Sequence, residues 1–197
     1  GRLDNHSLDI DLEISVTDTA NHVETIDDSV TVAEKPLLID AVPESGRLRE
    51  GIDDLVYLDV TYPDGVAAQA TLTVTDEFSQ TFVATTDAYG QAVITLTTPH
   101  TGLTPLRVIA ADGRGHVAEQ PLLLGSDTSD STASVLLRPE RTEYRIGDTL
   151  NVDIFVAAKA GSTGWADTVY LDIIKDRQTF GLVALPVVNG MAQAAVP

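Results

Sequence analysis

Hydrophobic and polar residues alternate with a period of two along much of this chain, the pattern of strands with one buried face. Leu8, Ile10, Leu12, Ile14 and Val16 alternate with Asp9, Asp11, Glu13, Ser15 and Thr17. Val56, Leu58, Val60 and Tyr62 obey the same rule, as do Ala70, Leu72 and Val74 against Thr71, Thr73 and Thr75. It returns at Ala92, Ile94 and Leu96, and at Leu150, Val152, Ile154 and Val156. Val, Ile and Thr dominate these runs, and their branched Cβ suits a pleated surface. Turn signals lie between them: Tyr62-Pro-Asp-Gly65, Ala88-Tyr-Gly90, Ala111-Asp-Gly113 and Val188-Asn-Gly190. Asp-Gly and Asn-Gly favour tight turns because both residue types tolerate positive φ. No amphipathic helical stretch of useful length is present. Short strands with this punctuation predict an all-β chain of tandem immunoglobulin-like antiparallel β-sandwiches.

The second half echoes the first. Residues 46–51 followed by 55–60 are matched by 143–147 followed by 150–155, and residues 88–93 by 188–193. Val16-Thr-Asp-Thr-Ala-Asn-His-Val23 is matched by Ala110-Ala-Asp-Gly-Arg-Gly-His-Val117. The expectation is a window on a longer array. Residues 1–34 would be the closing strands of one module, 35–125 a complete sandwich, and 132–197 the leading strands of the next. The boundaries are drawn at Lys35-Pro36, where proline fits the start of a strand, and at the polar, acidic stretch 125–131. Two strands alone do not make a stable sheet in water, and bare edges invite pairing. The two end pieces are therefore expected to complement each other, within one chain or between two copies as a strand-complemented homodimer.

Composition narrows the function classes. Hydrophobic residues make up 43% of the chain but aromatics only 5%, so the core should be aliphatic. A net charge of -18, from 30 acidic against 12 basic residues, repels phosphate backbones and anionic lipid. Solubility explains such a surface. A sharper reading is calcium held at domain junctions. No cysteine occurs, which removes disulfides, thiolate zinc sites and cysteine nucleophiles from this stretch without fixing the compartment. No apolar run is long enough to span a membrane, and no signal pattern opens the sequence.

Val56-Tyr-Leu-Asp-Val-Thr-Tyr-Pro-Asp-Gly65 resembles part of a macroglobulin-like domain of the alpha-2-macroglobulin family. Arg138-Pro-Glu-Arg-Thr-Glu-Tyr-Arg-Ile-Gly-Asp148 is similar to that family's domain opening, and residues 16–23 to its closing hairpin. The resemblance implies a secreted or membrane-anchored protein that entraps proteases, with such domains as its scaffold. The family's reactive thioester lies in a Cys-Gly-Glu-Gln type motif in a separate helical domain. Nothing here matches it, and no bait region can be assigned, so the resemblance implies scaffold.

Candidate chemistry is sparse. His22 and His116 occupy matching positions just after a turn, which favours a structural role over a metal or catalytic one. His6 and His100 complete the set, and no metal-ligand spacing such as His-Glu-x-x-His occurs. Asp9, Asp11 and Glu13 share one strand face, as a cation site or a solvated face would. Asp27-Asp28, Asp53-Asp54 and Asp127/Asp130 are placed in loops or linkers, where they could converge on calcium. No Gly-x-Ser-x-Gly elbow or phosphate-cradling glycine motif is present. Trp165, the only tryptophan, is either a partner anchor or a core plug.

The sequence thus points to a non-enzymatic, extracytoplasmic scaffold segment of a larger bacterial protein resembling alpha-2-macroglobulin. No catalytic, cofactor or metal residues are assigned. Its expected partners are the neighbouring domains, with proteases or surface ligands beyond them, and neither nucleic acid nor membrane. The alternatives are a spacer or ligand-binding module of a surface adhesin and an accessory module of a secreted hydrolase.

Overall fold

The computed structural model describes residues 7–129, 131–161 and 166–197. Among them are fourteen strands and no helix. All the strand ladders are antiparallel where their register is defined. The chain forms two compact units. One comprises Gly1–Ala41, Tyr57–Ile94 and Pro105–Leu122, the other Val42–Val56, Thr95–Thr104 and Leu123–Pro197.

Five sheets result. Strands β1 (Ser7–Thr17) and β2 (Val23–Ala33) form a two-stranded ribbon. A three-stranded sheet has the order β3 (Leu38–Pro43), β4 (Asp53–Thr61), β7 (Gln91–Thr97). A four-stranded sheet runs β6 (Thr81–Thr85), β5 (Thr71–Asp76), β8 (Leu103–Ala111), β9 (Val117–Gly125). The order β10 (Ala133–Pro139), β11 (Leu150–Ala158), β14 (Met191–Val196) makes another sheet, and β12 (Thr168–Lys175) with β13 (Gln178–Pro186) the last. The fold is an all-β, antiparallel sandwich architecture.

The core follows the alternation. In the first unit Leu58 and Val60 of β4, Leu72 and Val74 of β5, and Leu106, Val108 and Ala110 of β8 are all buried. Burying each such aliphatic side chain contributes about 1.5–3 kcal/mol. In the second unit Val152, Ile154, Val156 and Ala192 form the nucleus, with Leu150, Val169, Leu185 and Val187 packed around it at partial burial.

One aspartate anchor recurs in four turns among the described residues. Asp18, Asp76, Asp87 and Asp112 each accept backbone N–H bonds through Oδ1 from the residues two and four positions on. The residue three positions on, Asn21, Ser79, Gly90 or Gly115, has positive φ. This is a tight turn whose aspartate replaces backbone partners the loop cannot supply; it closes a hairpin at Asp18, Asp76 and Asp112 and links two sheets at Asp87. Four of the 30 acidic residues are therefore turn chemistry.

Two expectations need correction. Asp27 and Asp28 lie in the middle of β2, paired with Glu13 and Leu12 of β1, and not in a loop. Aspartate is a poor strand former because it competes for backbone bonds, but this ribbon is solvent-exposed, so a carboxylate there pays no desolvation. The match between 55–60 and 150–155 is also one residue out of step. Val60 N donates to Gly90 O at 2.8 Å, and Val156 N donates to Gly190 O at 2.8 Å. Val60 thus corresponds to Val156, and Leu55 to Asn151. Aligning the two leucines laid an outward position over an inward one.

Candidate functional site

A cluster of charged residues lies within the second unit. Glu44 follows β3 at a turn closed by Gly46 N donating to Pro43 O at 2.8 Å. Its Oε1 accepts from Leu55 N at 2.8 Å. Arg138, on the inward side of β10, reaches it with both arms: Nε to Oε2 at 2.8 Å and Nη2 to Oε1 at 2.5 Å. The same guanidinium donates to Asp53 O at 2.9 Å and lies over the Phe155 ring, 4.5 Å from its centroid. A bidentate, aromatic-backed pair of this kind needs arginine's planar fork.

Asp54 opens β4 with the same parity as Val56, Leu58 and Val60, and it is fully buried. Its Oδ2 accepts from Arg49 N at 2.6 Å, while Oδ1 has no hydrogen-bond partner. Arg49 in turn is bound by Asp127, Nη1 to Oδ2 at 2.8 Å. Burial, reinforced by the neighbouring Glu44 charge against the Arg49 amide and two guanidinium groups, pushes the Asp54 pKa up to about 6. Burial also acts on Glu44, but the Arg138 bonds and the Leu55 amide outweigh it and hold that carboxyl below its ordinary range.

Nearby polar contacts tie the same region together. Glu50 is buried and its Oε1 accepts from Ala160 N at 2.7 Å. Lys159 donates through Nζ to Ser129 O at 2.6 Å. Gly51, at φ 75°, would place a Cβ 3.1 Å from Ala157 Cβ. An open cleft of about 450 Å³ is lined by Glu50, His100, Thr101, Ser131, Lys159 and Gly161, among others.

Chemically, this cluster holds segments together. Asp54 near 6 has the titration range of a general acid. Its proton-bearing end, however, is sealed among core side chains with an arginine amide on its other oxygen. One consequence is measurable. The folded chain keeps the Asp54 proton to about pH 6, whereas the unfolded chain releases it near 4. Stability contributed by this group is therefore full below about pH 4 and falls as pH rises to 6. Asp54→Asn should remove that fall, leaving the variant about 1–2 kcal/mol more stable relative to wild type at pH 7 than at pH 4. Parallel urea titrations at the two pH values measure the difference.

The residues singled out in the sequence are placed as follows. His22 Nδ1 lies 2.9 Å from Asp18 Oδ2, and His116 Nδ1 lies 2.6 Å from Asp112 Oδ2. Each histidine thus caps the aspartate of its own turn. Tyr62 adds a third arm, donating its hydroxyl to Asp112 Oδ2 at 2.9 Å. Burial opposes ionisation of Asp112, yet the His116, Arg114 and Tyr62 bonds pull its carboxyl far below the ordinary range. His100 Nδ1 faces Thr101 O at 3.3 Å. Asp9 accepts from the Thr31 hydroxyl at 2.7 Å, on the exposed face that also carries Asp11, Glu13 and Asp27. Among the described residues no group of three or more His, Asp or Glu side chains is placed to share a metal ion. His6, Asp130 and Trp165 lie outside the described residues.

Sequence reasoning missed Glu44 and Arg138 altogether and placed Asp54 in a loop. The parity signal was available for two of them. Asp54 is in step with Val56, and Arg138 is in step with Leu136, each an inward position carrying a charge.

No family model matches this sequence, and no curated protein matches it. Among solved structures, the trypsin-activated alpha-2-macroglobulin from Escherichia coli is similar over 91% of this chain and 16% of that chain, at 13% identity and a TM-score of 0.32. The chain spans about a sixth of the length of that protein. A likeness at this level transfers no activity.

Proposed function

We propose that this chain is a non-catalytic scaffold segment of a larger, extracytoplasmic, macroglobulin-like protein of the protease-trapping kind. The observation that carries the reading is the half-buried Glu44–Arg138 pair. It uses a bidentate arginine, an aromatic backing and a half-buried carboxylate to join the turn after β3 to β10, a use that favours stiffness over chemistry. The sequence resemblance quoted above supplies the family direction, and tandem sandwich modules supply the mechanical role. In this reading the chain holds a bait or reactive element of the whole protein at a set place.

The test is the intact mass of the native full-length protein before and after methylamine. A gain of one methylamine with one new free thiol is expected, because a thioester elsewhere in the protein would open. An unchanged mass removes thioester trapping from the proposal. Turnover of peptide or glycan substrates by residues 1–197 alone would overturn the non-catalytic reading itself.

A further inference from the structure

An edge strand with bare N–H and C=O groups invites pairing, and charge or proline along it is the usual guard. Among β3 to β9, four strands are sheet edges. Two are guarded: β3 carries Asp40 and Pro43, and β9 carries Glu119 and Pro121. β6 and β7 carry neither charge nor proline. From Phe78 to Leu106 the only Asp, Glu, Lys or Arg is Asp87, in a chain with 30 acidic and 12 basic residues. The Asp87 carboxylate is taken up by its own turn.

β6 offers a complete set of pairing groups. Asp76 N donates to Gln80 O at 3.0 Å, and Thr86 N donates to Ala70 O at 2.9 Å. Bonded pairs recur at every second residue of an antiparallel ladder, so Val74↔Phe82 and Leu72↔Ala84 are the bonded pairs between those ends. The N–H and C=O groups of Thr81, Val83 and Thr85 therefore turn to the open side of the sheet. Their side chains lie on its exposed face, where Val83 is 71% exposed, while Phe82 and Ala84 are half-buried on the other face.

We propose that β6 pairs antiparallel with β6 of a second copy of this chain, about a two-fold axis through Val83, joining the two four-stranded sheets edge to edge. The register is self-complementary. With Val83 opposite its own copy, Thr81 stands opposite Thr85, and every outward N–H and C=O group on both strands is paired. Phe82 then lies beside Ala84 of the other copy, which extends the cover over both half-buried residues, and Val83 meets Val83 on the exposed face. An isologous contact of this kind closes on itself and leaves neither β6 edge bare.

Charge selects the same occupant. Each copy carries a net charge of -18, so two copies repel over most of their surface and approach most readily along a neutral flank. A basic partner would be drawn to the acidic surface elsewhere. A neutral strand rich in branched residues is what β6 itself supplies. The inference goes beyond the scaffold reading and does not depend on protease trapping.

Sedimentation equilibrium of the chain in the micromolar range should give a mass of twice 20.9 kDa. Association should strengthen as salt rises, because salt screens the repulsion between copies. Amide exchange reads the register directly: Thr81, Val83 and Thr85 should slow as concentration rises, whereas Phe82 and Ala84 are protected at any concentration. Val83→Glu sets like charges opposite each other across the axis and should weaken association about tenfold or more. Val93→Glu, on the other uncharged edge, should leave it within a few-fold. The chain has no cysteine of its own, so Val83→Cys chains should link cleanly under mild oxidation, the facing Cα atoms of a bonded pair being about 5.5 Å apart. A mass of one chain throughout the range overturns the proposal. So does a dimer that adds no protection at Thr81, Val83 and Thr85, or one that Val93→Glu disrupts and Val83→Glu does not, which points to β7.

Discussion

Arg138→Ala is expected to lower stability by about 2–4 kcal/mol at neutral pH. The substitution removes two bonds to Glu44, the bond to Asp53 O and the packing on Phe155. More costly than these losses is what stays behind. Glu44, with a side chain only 11% exposed, would keep one backbone donor and no countercharge. Its carboxyl is held low at present by Arg138, so in the wild type its contribution is lost as pH falls through that depressed range. Without the arginine, burial dominates and the sign reverses: the folded variant retains a proton the unfolded chain releases, and stability falls as pH rises. Arg138→Ala should therefore be nearest to wild type at about pH 4 and farthest from it at pH 7. Glu44→Gln/Arg138→Met should recover much of the loss, because replacing both partners leaves no lone buried charge. Thermal unfolding of the three variants at the two pH values checks each point. A pH-independent loss in Arg138→Ala would mean that packing on Phe155, not charge, was what the arginine supplied.

Gly90→Ala is expected to be comparably severe, at about 2–4 kcal/mol, and Gly190→Ala milder, at about 1–2 kcal/mol. Gly90 has φ 78°, but that alone does not demand glycine, because the same place in two sister turns is held by Asn21 and Ser79 at φ 65°. Space decides it. A Cβ on Gly90 would stand 2.4 Å from Val60 O and 3.3 Å from Ala68 N. Val60 O is also the acceptor for Ala68 N, and Val60 N donates to Gly90 O, so the crowded atoms belong to a backbone that cannot yield without breaking bonds. At Gly190 the corresponding distance to Val156 O is 3.0 Å, which a small shift relieves. Chemical denaturation of the two variants should rank them in that order. Equal losses would show that positive φ, not close approach, sets the cost.

Much of this fold is legible in the sequence because burial acts on alternate residues. The runs at 56–61, 71–75 and 150–156 are strands with the inward set the periodicity assigns. The legibility ends where position and chemistry disagree. Asp54 sits in step with three core aliphatics, and its charge suggested a loop although its parity assigned it to the interior. Asp27 and Asp28 posed the opposite problem: two adjacent carboxylates suggested a break, but an exposed ribbon tolerates them within a strand. Glu44 and Arg138 are separated by 94 positions, and nothing local in either segment names the other. The echo between 55–60 and 150–155 failed by one step because residue identity was matched in place of inward parity. The Gly90 and Gly190 echo held, because close approach to a carbonyl restricts the residue more tightly than burial restricts an aliphatic.

The aspartate-anchored turn has a consequence for how such a chain can diversify. Its geometry is written by a side chain at one end and a partner four places on: Asp18 with His22, Asp76 with Gln80, Asp87 with Gln91, Asp112 with His116. The third residue between them keeps a positive φ, but the first two vary from turn to turn: Thr-Ala, Glu-Phe, Ala-Tyr and Gly-Arg. Two of the tips hold aromatic rings out in solvent, Phe78 and Tyr89. Mutation can thus rewrite the first two residues of a tip without disturbing the strands below it, much as interchangeable bits share one handle. New binding specificity can arise on this framework at little risk to folding.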